Sequence, residues 1–80
     1  MPTITMQETT INGVTVRLAK ITGLQRIYWT IDALNKEMFS CRQLKTVTIR
    51  DENKAYNVIA SLVAQLNNNV GFWELKFTEA

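Results

Sequence analysis

The sequence predicts an α+β domain with the element order ββββαβ, in which one amphipathic helix packs on one face of a largely antiparallel, twisted sheet. Alternating apolar and polar residues up to Ile49, an early Asn-Gly turn signal, and helical periodicity confined to residues 51–69 predict this fold. The chain has 80 residues, 46% apolar and 20% charged, so residues 1–80 are expected to form a single folded domain with one modest core.

An N-terminal hairpin is predicted over residues 3–21, because Asn12-Gly13 accepts the positive φ angles of a two-residue turn. Pairing outward from the turn sets Ile11 opposite Val14, Thr9 opposite Val16, and Glu8 opposite Arg17. The residues then sharing one face are Val14, Val16 and Leu18. Farther from the turn the apolar positions change parity, which predicts a bulge or a local twist at Ala19, Ile21, Met6 and Ile4.

A second hairpin is predicted over residues 26–42, where apolar residues alternate with polar ones on both sides of a short loop. The predicted register sets Ile31 opposite Phe39 and Trp29 opposite Cys41. The alternation then breaks and resumes at Val47 and Ile49. Either a bulge or a short separate strand therefore leads into the helix.

The helix is predicted over residues 51–69, where apolar residues recur at three- and four-residue spacing. Its apolar stripe consists of Ala55, Val58, Ile59, Leu62, Val63 and Leu66. Asp51 has the side chain of an N-cap, Glu52 suits the positive end of the helix dipole, and the asparagines at 67–69 suit its end.

A C-terminal strand is predicted after the helix. Alternation directs one set of side chains to one face, namely Trp73, Leu75 and Phe77. The opposite set consists of Phe72, Glu74 and Lys76.

The composition argues against catalysis. The chain contains no histidine, which removes the commonest general base and the usual zinc ligand. Its one cysteine, Cys41, lies on the predicted core face, where a thiol behaves as a small inert apolar group. Asp51-Glu52 is more simply a helix start than an acid–base pair, and the glycines are too dispersed for a phosphate-binding loop. We therefore expect that the protein is not an enzyme and that it has no catalytic, cofactor-binding or metal-binding residues.

The same composition bears on location. A lone cysteine cannot form an internal disulfide, and MPTITMQETT has neither the basic start nor the apolar run of a signal peptide. No apolar stretch approaches the length of a membrane span. We therefore expect a cytoplasmic protein without a membrane partner.

The outward face of the predicted helix, the sheet face that the helix leaves uncovered, or both are expected to bind a protein partner. The helix face is the first candidate. It carries small, uncharged side chains that permit close packing: Asn57, Ser61, Ala64 and Asn68. Tyr56 borders the apolar stripe, and alternation points Phe72 away from the core, so both aromatic side chains are further candidates. A merely solvated helix has the same composition.

A basic sheet face is the alternative. Residues 9–50 carry seven basic and two acidic side chains, hence a net charge of +5, whereas residues 51–80 carry two basic and four acidic ones, hence −2. An aromatic ring among guanidinium groups on a sheet is a platform for single-stranded nucleic acid. The residues proposed for it are Arg17, Arg26, Tyr28 and Arg42. A plain solvated face is the competing interpretation.

In its size, its strand-rich ββββαβ order and its one helix at residues 51–69, the chain resembles small proteins of bacteriophages and mobile elements, among them the anti-CRISPR proteins. The resemblance covers the whole chain and includes no diagnostic motif. It implies a non-enzymatic inhibitor that occupies a surface of a Cas effector complex in the host cytoplasm. Because the net charge is +2, blocking a protein surface suits this chain better than competing with DNA for a basic groove. A homodimer is compatible with these functions, and an assembly protein that self-associates through an edge strand is a third hypothesis.

Overall fold

The computed structural model describes residues 3–35 and 43–79. Its elements are β1 (Thr3–Ile11), β2 (Val14–Thr22), β3 (Ile27–Asn35), β4 (Gln43–Ile49), α1 (Glu52–Asn67) and a 3₁₀ helix (Phe72–Glu74). The described strands form one antiparallel sheet in the order β1-β2-β3-β4, and α1 packs on one face, chiefly across β2 and β3. The predicted α+β class, antiparallel sheet and helix on one face are confirmed. The predicted final strand is wrong, because the 3₁₀ helix lies at its start and no strand follows within the described residues.

The β1–β2 hairpin has the predicted turn and the predicted pairs beside it. Asn12 and Gly13 have φ angles of 51° and 79°, the positive values that suit a two-residue turn between twisted strands. The register continues without interruption to the Thr3–Thr22 pair, so of the two predicted alternatives, a bulge or a local twist, the bulge is wrong. Because successive side chains point to opposite faces, the parity change moves apolar residues to the face away from α1: Ile4, Met6, Ala19 and Ile21.

The strand β4 is the separate strand that the sequence left open. Its register sets Ile31 opposite Val47 and Trp29 opposite Ile49. The predicted register of β3 is therefore wrong, and its predicted partners Phe39 and Cys41 lie outside the described residues. Both segments offer alternating apolar residues, but residues 46–49 are four consecutive β-branched residues and so have the stronger strand preference.

The core lies between α1 and the sheet. Four residues of the predicted stripe are buried in it: Ala55, Val58, Leu62 and Leu66. They cluster with the sheet residues Val14, Val16, Leu18, Trp29, Ile31 and Ala33. The helix begins as predicted, since Asp51 Oδ1 accepts a hydrogen bond from the Lys54 backbone N–H at 3.2 Å. Among residues 3–35 and 43–79, no helix has both the length and the apolar character needed to cross a membrane.

The C-terminal tail, residues 70–79, completes the core. Phe72 and Leu75 are 5% and 6% exposed, whereas Trp73 is 62% exposed. The predicted orientation of the two neighbouring aromatic residues is therefore reversed. A 3₁₀ turn repeats every three residues, so Phe72 and Leu75 share its inward side while Trp73 points to solvent.

Candidate functional site

The sheet face opposite α1, called the open face, carries a row of apolar side chains across three strands. The register sets Ile4 of β1 beside Ile21 of β2, and Ile21 beside Tyr28 of β3. Met6 follows Ile4 on the same face, and these two side chains are 51% and 59% exposed, respectively. Ile21 and Tyr28 are half-buried. Together Ile4, Met6, Ile21 and Tyr28 form the apolar patch.

A groove of about 490 Å³ adjoins the apolar patch at Tyr28. Its lining combines two guanidinium groups with a phenol: Gln25, Arg26, Ile27, Tyr28, Thr48 and Arg50. Arg26 and Arg50 are exposed, and neither has an ion-pair partner within the part of the chain that the structure describes. The groove therefore presents uncompensated positive charge beside an apolar surface.

A row of charged side chains crosses the middle of the open face. Arg17 Nη2 donates a hydrogen bond to Asp32 Oδ2 at 3.1 Å, and Glu8 pairs with Arg17 from the other neighbouring strand. Glu8 is thus a cross-strand neighbour of Arg17 on the same face, but the ion pair of Arg17 is with Asp32. Arg17 Nε is buried and has no hydrogen-bond partner among the described residues. The charge of Arg17 is compensated within the sheet, so this residue is poorly placed to bind an external anion.

The tail occupies one flank of α1. The Gln65 side chain donates to the Lys76 carbonyl oxygen at 2.8 Å and accepts from the Lys76 N–H at 2.9 Å. The same amide donates to Ser61 Oγ at 3.2 Å. Nearer the start of the helix, Asn57 Nδ2 donates to Glu79 Oε1 at 3.5 Å. Part of the helix surface predicted to bind a partner is thus already in contact with the chain itself.

Much of that helix surface is nevertheless accessible to solvent. Three of its residues are exposed, namely Asn57, Ala64 and Asn68. Tyr56 is 46% exposed, as predicted for a residue at the edge of the stripe, whereas Ser61 is half-buried. The predicted exposure of Phe72 is wrong, because the 3₁₀ turn directs its ring into the core.

The chain matches no family model, no curated protein and no solved structure.

The residues predicted to bind nucleic acid are only partly brought together. Arg26 and Tyr28 line one groove, whereas Arg17 lies in the charged row. Arg42 lies outside the described residues. Arg50, the residue after β4, lines the groove together with Arg26 and Tyr28.

Sequence reasoning missed the apolar patch. The parity change at Ile4, Met6 and Ile21 predicts a bulge or a local twist, but a change of apolar parity on both strands of one hairpin also indicates a second apolar face. The signal is that the apolar positions of both strands change parity at the same place in the hairpin.

Proposed function

We propose that this chain is a non-enzymatic binding module that recognises a second protein through the open face of its sheet. The row of Ile4, Ile21 and Tyr28 carries the proposal, because it stays accessible while α1 covers the opposite face. Apolar side chains gathered in one accessible patch mark interaction surfaces of soluble proteins. The open face is therefore preferred to the helix surface, whose flank the tail already contacts.

The rim of the apolar patch defines the chemistry of the partner. Tyr28 lies with Arg26 and Arg50, and aromatic and arginine side chains are the ones that supply most binding energy in protein interfaces. A matching surface is apolar at its centre and carries aspartate or glutamate where it meets the two guanidinium groups. The proposed partner is a protein with such an acid-rimmed apolar site.

The proposed action is steric: the bound sheet covers a site on the partner without any chemical step. Within this class, the narrower proposal is an inhibitor of a bacterial CRISPR–Cas complex, acting in the host cytoplasm. Its support is the resemblance in size and architecture to small phage-encoded inhibitors.

The test compares capture by the wild-type chain and by two variants from a nuclease-treated bacterial lysate. Ile21→Thr/Tyr28→Thr removes the apolar centre and keeps good strand formers at both positions. Ala60→Glu/Ala64→Glu is the matched control, since both alanines are exposed on α1. We expect one stoichiometric protein complex that the helix variant retains and that the sheet variant binds roughly tenfold or more weakly.

Circular dichroism and thermal unfolding establish that each variant is folded before capture. Loss of the complex in the helix variant, with retention in the sheet variant, would place the interface on α1 and refute the proposal. Cas subunits in the captured complex would support the narrower proposal, and an unrelated complex would refute it.

Single-stranded nucleic acid is the second candidate partner, and the groove beside Tyr28 favours it. Arg26, Tyr28 and Arg50 place two cations and an aromatic ring together, as in a stacking platform. Binding of a fluorescent oligonucleotide should then weaken with salt, with a log–log slope of roughly −1.5 for two neutralised phosphates. Unchanged affinity in Arg26→Gln/Arg50→Gln, or a flat salt response, would eliminate this candidate.

A further inference from the structure

We propose that β1 pairs with β1 of a second copy, which joins two four-stranded sheets into one continuous sheet. This inference concerns an edge of the sheet and does not depend on the proposed function of the open face. Two features of β1 indicate that a second copy of the chain binds this edge. Its backbone has free hydrogen-bonding groups, and its side chains are compatible with those of an identical antiparallel strand.

The strand β1 is a long and unprotected edge. It lies at one end of the sheet, and every residue from Thr3 to Thr10 is exposed. It has nine residues in an uninterrupted register with β2, and Glu8 is its one charged residue. Natural sheets guard such edges with bulges, prolines, lysines or a covering segment. None of these protects β1 within the described residues.

The other edge, β4, differs in this respect. It carries Lys45, whose Nζ donates a hydrogen bond to the Trp73 carbonyl oxygen at 3.1 Å. The same ammonium group lies 5.5 Å from the centre of the Phe72 ring. A lysine and a contact with the tail are thus present at β4, and neither occurs at β1 among residues 3–35 and 43–79.

The backbone of β1 presents free hydrogen-bonding groups at regular intervals. A two-residue turn closes on a hydrogen-bonded pair, so Ile11 and every second residue before it bond to β2. The N–H and C=O groups of the residues between them point away from β2, and these residues are Ile4, Met6, Glu8 and Thr10. A second antiparallel strand would satisfy all of these groups.

The side chains of β1 match a second copy in one antiparallel register. Centring the pair on Gln7 overlaps all nine residues of the strand and brings the two Gln7 amides within hydrogen-bonding reach. The other cross-strand pairs are Thr3 with Ile11, Thr5 with Thr9, Ile4 with Thr10, and Met6 with Glu8. This register keeps the two Glu8 carboxylates apart, whereas centring on Glu8 would oppose like charges.

The position of α1 permits this pairing. The helix packs chiefly over β2 and β3, so it leaves the free edge of β1 open. The added strands extend the sheet sideways and cover neither face. The apolar patch of each copy therefore remains available for the proposed partner protein.

Cysteine cross-linking tests the register in the full chain. Gln7→Cys in a Cys41→Ser background places two thiols at a non-hydrogen-bonded pair, where the Cα atoms lie about 4.5 Å apart and a disulfide is feasible. Thr5→Cys in the same background is the matched control, since it is exposed on the same face but lies opposite Thr9 of the second copy. We expect Gln7→Cys to give a covalent dimer under mild oxidation and Thr5→Cys to remain monomeric. Equal cross-linking of the two variants would overturn the register.

Sedimentation equilibrium over a wide concentration range tests the pairing without cysteines. We expect a wild-type monomer–dimer equilibrium. Met6→Glu opposes two like-charged pairs to Glu8 and should raise the dimer Kd by roughly two- to thirtyfold, whereas Met6→Lys should lower it. High salt should shrink the difference between the variants. A wild-type monomer at every concentration would overturn the proposal, as would equal weakening by both substitutions.

The two proposals fail separately, because Ile21→Thr/Tyr28→Thr leaves β1 unchanged. Loss of the partner protein with an intact dimer supports the open-face interface. Gln7→Glu supplies the converse variant, because it opposes two carboxylates at the centre of the β1–β1 pair and lies on the sheet face away from the apolar patch. Loss of the dimer in Gln7→Glu with an intact partner complex supports the edge pairing.

Discussion

Asn12 Nδ2 donates a hydrogen bond to the Leu66 carbonyl oxygen at 2.9 Å and so ties the first hairpin to the C-terminal end of α1. The same amide lies 3.3 Å from Asn69 Oδ1. The last carbonyl groups of a helix have no partner within the helix. One residue therefore supplies both the positive φ of the turn and a partner for a helix-terminal carbonyl.

Asn12→Gly isolates the second of these roles, because glycine keeps the positive φ of the turn and removes the side chain. We expect the free energy of unfolding to fall by about 1 kcal/mol. Asn12→Ala should cost more, about 2 kcal/mol, since alanine is also strained at φ 51°. Urea denaturation measures both changes. Wild-type stability of Asn12→Gly would show that the hydrogen bond to Leu66 contributes nothing.

The adjacent aromatic residues of the tail should respond oppositely to truncation. Phe72→Ala empties a buried site and should lower the free energy of unfolding by about 3–5 kcal/mol. Trp73→Ala removes an exposed ring and should change it by about 1 kcal/mol or less. Thermal unfolding compares them, and Phe72→Leu provides a milder truncation if the alanine variant fails to fold. A larger loss for Trp73→Ala would contradict the orientation of the 3₁₀ turn.

The helix and the first hairpin could be predicted from the sequence because their signals are local. Asp51, the spacing of Ala55 to Leu66, and Asn12-Gly13 each fix the structure of their own neighbours in the chain. The cross-strand pairs next to that turn follow from counting, so they too were correct.

The β3–β4 register and the conformation of the tail could not be predicted, because they depend on contacts between residues that are distant in the sequence. Ile31 has two apolar candidates for a partner strand, and alternation alone does not rank them. Phe72 and Trp73 are both aromatic, so only the change from a strand to a 3₁₀ period decides which one enters the core. The apolar patch was missed for a related reason. A change in the parity of the apolar residues places them on the opposite sheet face only if the strand register is unbroken, and the sequence alone does not show that.

The Arg17–Asp32 ion pair should contribute a modest, salt-sensitive stabilisation. Its side chains are 28% and 18% exposed, so solvent screens the attraction only in part. Asp32→Asn should lower the free energy of unfolding by about 0.5–1 kcal/mol, and the loss should shrink in high salt. Glu8→Gln is the comparison, because Glu8 is the other cross-strand neighbour of Arg17, makes no ion pair with it, and is more exposed than Asp32. Equal effects of the two substitutions would show that the hydrogen bond from Arg17 to Asp32 adds no stability beyond that of a nearby negative charge.

Gln65 should hold the tail against α1 through its two hydrogen bonds to the Lys76 backbone, at 2.8 and 2.9 Å. Gln65→Ala removes both, and we expect the free energy of unfolding to fall by about 1–2 kcal/mol. Local detachment of the tail should also speed trypsin cleavage after Lys76, because proteolysis requires an opened backbone.

Asn57→Ala is the control for this prediction, because it removes only the 3.5 Å contact with Glu79 from the same helix and the same tail. Its stability should stay within about 0.5 kcal/mol of the wild type. If both variants are cleaved at the wild-type rate, the buried Phe72 and Leu75 side chains suffice to hold the tail, and Gln65 only adds to helix stability. Faster cleavage confined to Gln65→Ala would instead make this one amide the contact that keeps the tail on the flank of α1.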